Sequence, residues 1–332
     1  MKVLLNFHLG ADVRMSVPEA VLEALRRRFP AVTFVGANDA ETLAREAPAA
    51  DVFYGWTFPP ALLPTAARLR WIQSASAGIE GLSDSIGDRE ILLTNGAGIA
   101  SDAIAEHALA VMLALCRNHH VAARLQQARR WDRPAVMAGT GTPIREFRGS
   151  RVAILGLGPI GMAVARKAAA LGASAHGMRR HPTDAPSVCE AVVGPDGLDG
   201  LLRWADFVVL ALPHTQETEG MIGARELALM GPEAYLVNVA RGSIVDETAL
   251  ADALGRQAIA GAALDVFVDE PLPPGSPLWE LPNVILTPHV AGATPHYLDR
   301  ALELFAENLT RYLAGQPLHN LVDKGLGYPR SQ

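Results

Sequence analysis

Short apolar runs rich in Val, Ile and Leu alternate along almost the whole chain with longer Ala-, Leu- and Arg-rich stretches of helical periodicity. Such alternation marks α/β folds built on parallel sheets, whose strands are apolar on both faces. In the early part of the chain the pattern predicts strands at Val3–Phe7, Val32–Val35, Val52–Tyr54, Trp71–Gln73 and Ile91–Thr94. Pro18–Phe29 and Asp39–Glu46 read as the helices between them. A long helix is predicted to start at Ser101 as N-cap, with Asp102 and Glu106 in its first turns, and to run to about Arg130. The stretch WDRPAVMAGTGTPIREFRGS, 131–150, lacks apolar periodicity and reads as an extended surface arm, either a linker or a segment that docks on a partner subunit.

From Arg151 the alternation restarts. Strands are expected at Val152–Leu155, Ser174–Gly177, Phe207–Ala211, Tyr235–Val239, Gly261–Val266 and Val284–Thr287, and a last helix at Pro295 to about Ala314, followed by a short extended tail. Ligands of an open parallel sheet bind beyond the carboxyl ends of its strands. Polar chemistry collects at those ends here: GLGPIG after Leu155, LPHTQET after Ala211, NVARGS around Val239, LDVFVDEP around Val266 and TPHVAG after Leu286. In the glycine motif, Gly156 permits a tight turn, Gly158 lets a pyrophosphate approach the backbone, and Gly161 lets helix and strand pack closely. The helix that Pro159 and Ile160 open would offer its first N–H groups to phosphates.

His289 is the acid/base candidate, because imidazole both gives and takes a proton near neutrality. Glu270 could orient that ring and stabilise its charge, and Arg241 could meet a carboxylate in forked geometry. Each also has an ordinary reading when taken singly: a strand-end histidine, a solvated loop carboxylate, a structural ion pair.

Composition narrows the classes. With 332 residues, 49% of them hydrophobic, the chain can bury the cores of about two domains. A net charge of -6 without any Lys/Arg block gives nucleic acid no electrostatic footing. Two cysteines, Cys116 and Cys189, suit a reducing compartment, and no eighteen-residue apolar run free of charge suggests a membrane span. MKVLLNFHLG is interrupted too soon for a signal peptide, so a cytoplasmic protein is expected, with no metal site.

The motifs GLGPIG, NVARGSIVDETAL, AGAALDVFVDEPLP and SPLWELPNVILTPHVAG closely resemble the D-isomer-specific 2-hydroxyacid dehydrogenases. RWIQSASAGIE and TNGAGIASDAIAEHALAVMLAL extend the similarity back towards the N-terminus. The resemblance implies two parallel-sheet domains, Rossmann-like and flavodoxin-like, with the cofactor domain (99–292) inserted into the substrate domain (1–98 plus 293–332). It also implies a homodimer embraced by the arm 131–150, and domain closure around the hydride step. Arg241, Glu270 and His289 match the family's catalytic arginine, glutamate and histidine. His289 would then protonate the keto oxygen as hydride reaches the carbon, and Arg241 would polarise the carbonyl and anchor the adjoining carboxylate. Pro213, Ala240, Asp265 and Gly292 fall to the nucleotide, with Asp265 on the nicotinamide carboxamide. Ser76 and the N–H groups of Ala77 and Gly78 fall to the substrate carboxylate.

Trp56 lies where glyoxylate and hydroxypyruvate reductases of the family face the substrate side chain, though a core or hinge aromatic would look the same. A small 2-keto acid such as glyoxylate or hydroxypyruvate is therefore the expected substrate. A phosphoglycerate dehydrogenase, with a second basic cluster and a C-terminal regulatory domain, and a formate dehydrogenase, with its extra polar residues, are not expected. Phosphite oxidation and a nucleotide-sensing, corepressor-like role are the rivals on this fold. The segment HGMRRHP puts Met178 where NAD-dependent members carry Asp, with no acidic residue before Asp184. Arg179 and Arg180 follow, either as two solvated loop arginines or as a fork for a 2′-phosphate. The expectation is that NADP(H) is preferred and NAD(H) is not excluded.

Overall fold

The computed structural model describes residues 1–9, 13–14, 17–79, 81–182 and 185–329. The chain divides into two compact units, Met1–Ile99 with Pro295–Gln332, and Ala100–Thr294. Both are built on all-parallel main sheets, so the chain is an α/β protein in which one sheet unit is inserted into another.

The first unit has five parallel strands in the order Thr33–Gly36, Lys2–Asn6, Val52–Gly55, Trp71–Ser74, Leu92–Thr94, the flavodoxin-like order. Val52–Gly55 and Trp71–Ser74 are buried throughout, as strands covered by helices on both faces must be. The helix Glu19–Arg28 carries Glu19 in its first turn and Arg26, Arg27 and Arg28 in its last, each sign placed against the opposite end of the helix dipole. The helix Tyr297–Leu313 returns to this unit with Ala301, Phe305 and Leu309 buried at four-residue spacing. Phe305 stacks on Tyr54 at 4.1 Å between ring centroids. Buried Asn308 donates to Gln73 Oε1 (2.9 Å) and accepts from the His319 N–H (2.7 Å), which locks the end of the chain to the central strands.

The second unit has seven parallel strands: Ala191–Val193, Ser174–Met178, Arg151–Leu155, Phe207–Leu210, Tyr235–Asn238, Gly261–Leu264, Val284–Leu286. Numbered in chain order within the unit this is 3-2-1-4-5-6-7, a doubly wound sheet whose order reverses beside Arg151–Leu155.

Several expectations give way to the packing. The long helix ends at Cys116 and a second begins at His119. Between them Asn118, only 1% exposed, takes a left-handed φ of 53° and donates through Nδ2 to the carbonyls of Val136 and Thr142, both at 3.1 Å. Ser101 is the first helical residue rather than the cap; Ala100 holds the N-cap position and makes no side-chain cap bond. The 131–150 stretch is not an extended arm throughout. Asp132 caps the helix Arg133–Ala138, while Thr142, Phe147 and Ser150 are buried. The Arg145 guanidinium lies 5.0 Å over Phe207 and 5.1 Å over Tyr235, a cation–π arrangement that docks this half of the segment on the sheet. Trp131 and Met137 do face outward. The strand Ala191–Val193 had no counterpart in the expected pattern. The tail is the antiparallel pair Val322–Asp323 with Tyr328–Pro329, and residues 330–332 lie outside the described part.

Asn118→Ala forfeits two buried hydrogen bonds and keeps the left-handed backbone, at an expected cost of about 2–3 kcal/mol in urea unfolding. Asn118→Gly loses the same two bonds but relieves the left-handed strain, and should fall between that variant and the parent.

Candidate active site

Gly156 ends the Arg151–Leu155 strand at a φ of 99°, and a Cβ there would come within 2.5 Å of the Ala211 carbonyl oxygen. At Gly161 a Cβ would sit 1.9 Å from the Gly156 oxygen. Both positions need glycine for the turn itself. Gly158 differs: a Cβ would meet nothing within 4 Å. It is the N-cap of the helix Pro159–Ala170 and borders open space at that helix's positive end. Two glycines shape the turn and the third leaves room beside N–H donors, so the residues fit a dinucleotide's pyrophosphate. Ile160 packs back on the core and holds the first helical turn in place.

The neighbouring strand ends at Met178, which is buried, and Leu157 lies so close over Gly177 that a Cβ there would touch it at 2.2 Å. The Arg179 N–H donates to the Val193 carbonyl, and the Arg180 guanidinium pairs with Glu217. Asp184 lies outside the described residues, as does Glu80, which closes the SASAGIE motif. On the other flank, Thr218 Oγ1 donates to the Pro213 carbonyl (2.8 Å) and accepts from the Thr215 N–H (2.8 Å), folding the Pro213–Thr218 loop on itself.

Farther along the same rim, Asn238 Oδ1 accepts from the Ala240 N–H at 3.0 Å, and its Nδ2 donates to the Arg241 carbonyl at 2.9 Å. This bracket turns the chain so that Arg241 leaves the strand end, its Nη1 donating to the Ala240 carbonyl at 2.7 Å. Gly242 lies directly against Phe267, where a Cβ would fall 1.9 Å from the carbonyl carbon. The Arg241 turn therefore abuts the Phe267–Glu270 loop. Glu270 Oε1 accepts from the Phe267 N–H (3.0 Å), and Oε2 is 2.7 Å from His289 Nδ1. The structure thus brings Glu270 and His289 together, although they are far apart in the chain.

His289 has a φ of 52°, left-handed and unfavourable for a residue with a Cβ. Asp265, 2% exposed, holds it there. The Asp265 carbonyl accepts from the His289 N–H at 2.8 Å. Its carboxylate accepts from Thr287 Oγ1 (2.6 Å), the Val290 N–H (3.0 Å) and the Ala291 N–H (2.8 Å). His107 Nε2 reaches Thr287 Oγ1 at 3.2 Å. Gly292 continues the loop, 3.6 Å from Ala100 as measured to the Cβ it lacks. Sequence reasoning missed Asn238, Thr287 and His107. Their only signal was position inside NVARGS, TPHVAG and AEHALA, with nothing to separate them from neutral neighbours.

In the first unit, Trp56 packs edge-on to Phe7 and at 5.4 Å from Tyr297, and its buried Nε1 makes no hydrogen bond. Ser74 Oγ donates to the Trp56 carbonyl at 2.8 Å and accepts from the Ser76 N–H at 3.1 Å. Asn95 Nδ2 binds the Ala77 carbonyl at 2.7 Å, and the Gly78 N–H donates to Ser76 Oγ at 3.2 Å. The Ser76–Gly78 turn is therefore fixed from both sides, at the carboxyl end of the Trp71–Ser74 strand.

Hydride chemistry needs a dinucleotide cradle and a proton carrier on one sheet edge. The second unit offers surroundings for both, which sets the chain among the nicotinamide-dependent oxidoreductases. Comparison with known proteins refines the class. The sequence profile described as D-isomer specific 2-hydroxyacid dehydrogenase, NAD binding domain, matches residues 109–291. Glyoxylate/hydroxypyruvate reductase B of Pectobacterium carotovorum is 36% identical over 265 residues, 79% of this chain and 81% of that one. The NADPH-dependent glyoxylate/hydroxypyruvate reductase of Sinorhizobium meliloti, solved with NADP and sulfate, superposes with a TM-score of 0.84 at 27% identity, covering 98% of this chain and 99% of the other. A D-isomer specific 2-hydroxyacid dehydrogenase of Xanthobacter autotrophicus, solved with NADPH and MES, gives a TM-score of 0.82 at 30% identity and coverages of 98% and 99%. The chain belongs to the D-isomer-specific 2-hydroxyacid dehydrogenase family, on its glyoxylate/hydroxypyruvate reductase-like branch, and is a 2-keto acid reductase. Among the described residues no helix is long and apolar enough to cross a membrane.

The glycines separate folding from binding. Gly158→Ala should unfold at the parental temperature but bind NADPH about tenfold more weakly by fluorescence titration, since its Cβ fills the open space beside the helix end. Gly161→Ala should lower the melting temperature by several degrees, because its Cβ meets backbone.

Proposed function

We propose that the protein reduces small 2-keto acids, glyoxylate or hydroxypyruvate among them, to the D-2-hydroxy acids, with NADPH preferred over NADH. The observation that carries this reading is the Glu270–His289 pair on the rim that also bears Arg241 and the glycine turn. When bound, the reduced nicotinamide supplies the hydride that the keto carbon accepts. In this reading the Nδ1–H of His289 donates to Glu270, which fixes the ring's orientation, and Nε2 carries the proton for the keto oxygen as that oxygen gains charge. Arg241 polarises the carbonyl and anchors the adjoining carboxylate. Ser76, Ala77 and Gly78 are the substrate-binding turn of the first unit in this reading, which requires the Gly78 N–H to exchange Ser76 Oγ for substrate. Trp56, with an unbonded indole N–H, shapes the side-chain pocket.

Gly156, Gly158, Pro159, Ile160, Gly161, Pro213, Ala240 and Gly292 form the nucleotide cradle in this reading. Asp265 reads the carboxamide as well as holding the His289 loop. Arg179 and Arg180 take the 2′-phosphate, supported by their position directly after Met178 and by the NADP-bound relatives of the same fold. The reading includes a cytoplasmic homodimer. Both cysteines are free and buried, and Trp131, 99% exposed, stands on the segment assigned to the partner.

A panel of 2-keto acids, followed by loss of reduced-nicotinamide absorbance, tests the activity. Turnover with glyoxylate or hydroxypyruvate is expected, and nucleotide binding without any turnover would favour the sensor. His289→Asn should lower kcat by about 10²–10⁴-fold while the Kd for NADPH stays unchanged; near-parental turnover would remove His289 from the proton step. Arg179→Ala/Arg180→Ala should raise the Kd for NADPH at least about tenfold more than that for NADH, and equal effects would refute the fork.

A further inference from the structure

Arg180 stands two residues beyond the end of the Ser174–Met178 strand, and Glu217 lies in the loop that follows Phe207–Leu210. These strands are not neighbours. Arg151–Leu155 runs between them and ends in the glycine turn. Their ion pair therefore crosses over the end of the central strand, bridging about 10 Å of sheet width. It spans the crevice at the switch point of the sheet, where a doubly wound fold takes its nucleotide. The two partners are unequal. The Arg180 side chain is 30% exposed and Glu217 71% exposed, so the carboxylate reaches a half-buried guanidinium from solvent. Glu217 lies within the Thr215–Thr218 turn, which the Thr215 N–H and the Pro213 carbonyl close on Thr218 Oγ1.

We infer that Glu217 is a specificity-determining residue: a built-in counter-anion that competes with the nucleotide's 2′-phosphate for Arg180 and so limits the preference for NADPH. The inference rests on the proposed role of Arg179 and Arg180. A carboxylate this exposed holds its arginine weakly. A phosphate dianion accepts two parallel bonds from the guanidinium and displaces it, but binding is charged for the lost pair and for repulsion between Glu217 and the dianion. A nucleotide with a bare ribose leaves the pair closed. Glu217 thus supplies, from the opposite loop, part of the tolerance for NADH that the lack of an acid at Met178 would otherwise remove.

The test is titration of purified E217Q, R180A and the double variant with NADPH and with NADH, read by tryptophan fluorescence without substrate. E217Q should lower the Kd for NADPH about two- to fivefold and leave that for NADH unchanged, the gain shrinking as salt rises. In the R180A background the gain should diminish. The inference is overturned if E217Q leaves NADPH binding unaltered, weakens it, or shifts both nucleotides together. It is equally overturned if the gain persists undiminished without Arg180. R180A alone separates the two readings. Should it weaken NADPH no more than NADH, the arginine fork itself fails. Should it discriminate while E217Q is silent, only the role of Glu217 fails.

Discussion

A single buried carboxylate sets the shape of the reactive edge. Asp265 gathers three donors from the 287–291 segment, and its carbonyl takes a fourth, the N–H of His289 itself. A left-handed histidine costs of order 1 kcal/mol or more in backbone strain. That cost is tolerated because the alternative strands an acidic group in a nearly waterless place, which costs more. The loop is therefore over-determined, and the imidazole it presents meets Glu270 without further adjustment. Glu270 is oriented in the same fashion, with one oxygen spent on the Phe267 N–H so that only the other faces the ring. Thr287 and His107 extend the bracing back to the Ser101–Cys116 helix.

The parallel sheet explains why these groups share an edge. Every strand of the second unit points the same way, so each carboxyl end delivers its loop to one rim. The strand interiors must be apolar on both faces, which leaves the chain little polar residue to place except at the ends. Close backbone approaches tie the loops together. Gly156 lies against Ala211, Gly242 against Phe267, and each contact forbids a side chain at that point. The spacing of the loops is set by backbone surfaces meeting one another, a firmer reference than side-chain packing.

Much of this was legible beforehand, and the exceptions are instructive. Val152–Leu155, Phe207–Leu210 and Tyr235–Asn238 are buried on both faces, and their apolar runs were unmistakable. The glycine turn was legible because its spacing carries a steric meaning of its own. Ala191–Val193 was not, since an edge strand of three half-buried residues leaves no pattern to detect. The helix break at Asn118 was hidden for a different reason. CRNHHVAARL contains no Gly or Pro to mark a break, and two carbonyls 18 and 24 residues downstream hold the asparagine out of the helix. At the reactive edge the residue types drew attention, but the 2.7 Å between Glu270 and His289 is a tertiary fact that no spacing encodes. Glu217 lay inside LPHTQET, one of the polar strand ends, but nothing separated it there from any other exposed acid.

The rim is also partitioned. The ends of the strands Arg151–Leu155 and Ser174–Met178 carry helix N–H groups and arginines, the half suited to anions, with Glu217 facing them from the loop after Phe207–Leu210. The ends of Tyr235–Asn238, Gly261–Leu264 and Val284–Leu286 carry Arg241, Asp265 and the carboxylate–imidazole pair, the half suited to moving a proton. Different bonds brace the two halves: Gly156 to Met178 and Ala211 to Leu155 in the first, the Asp265 cluster in the second. A change of charge beside Met178 consequently leaves the bonds that orient His289 in place. Nucleotide preference can therefore shift within this fold by exchanging one or two loop residues, while proton delivery, held by a buried and over-determined network, stays as it is.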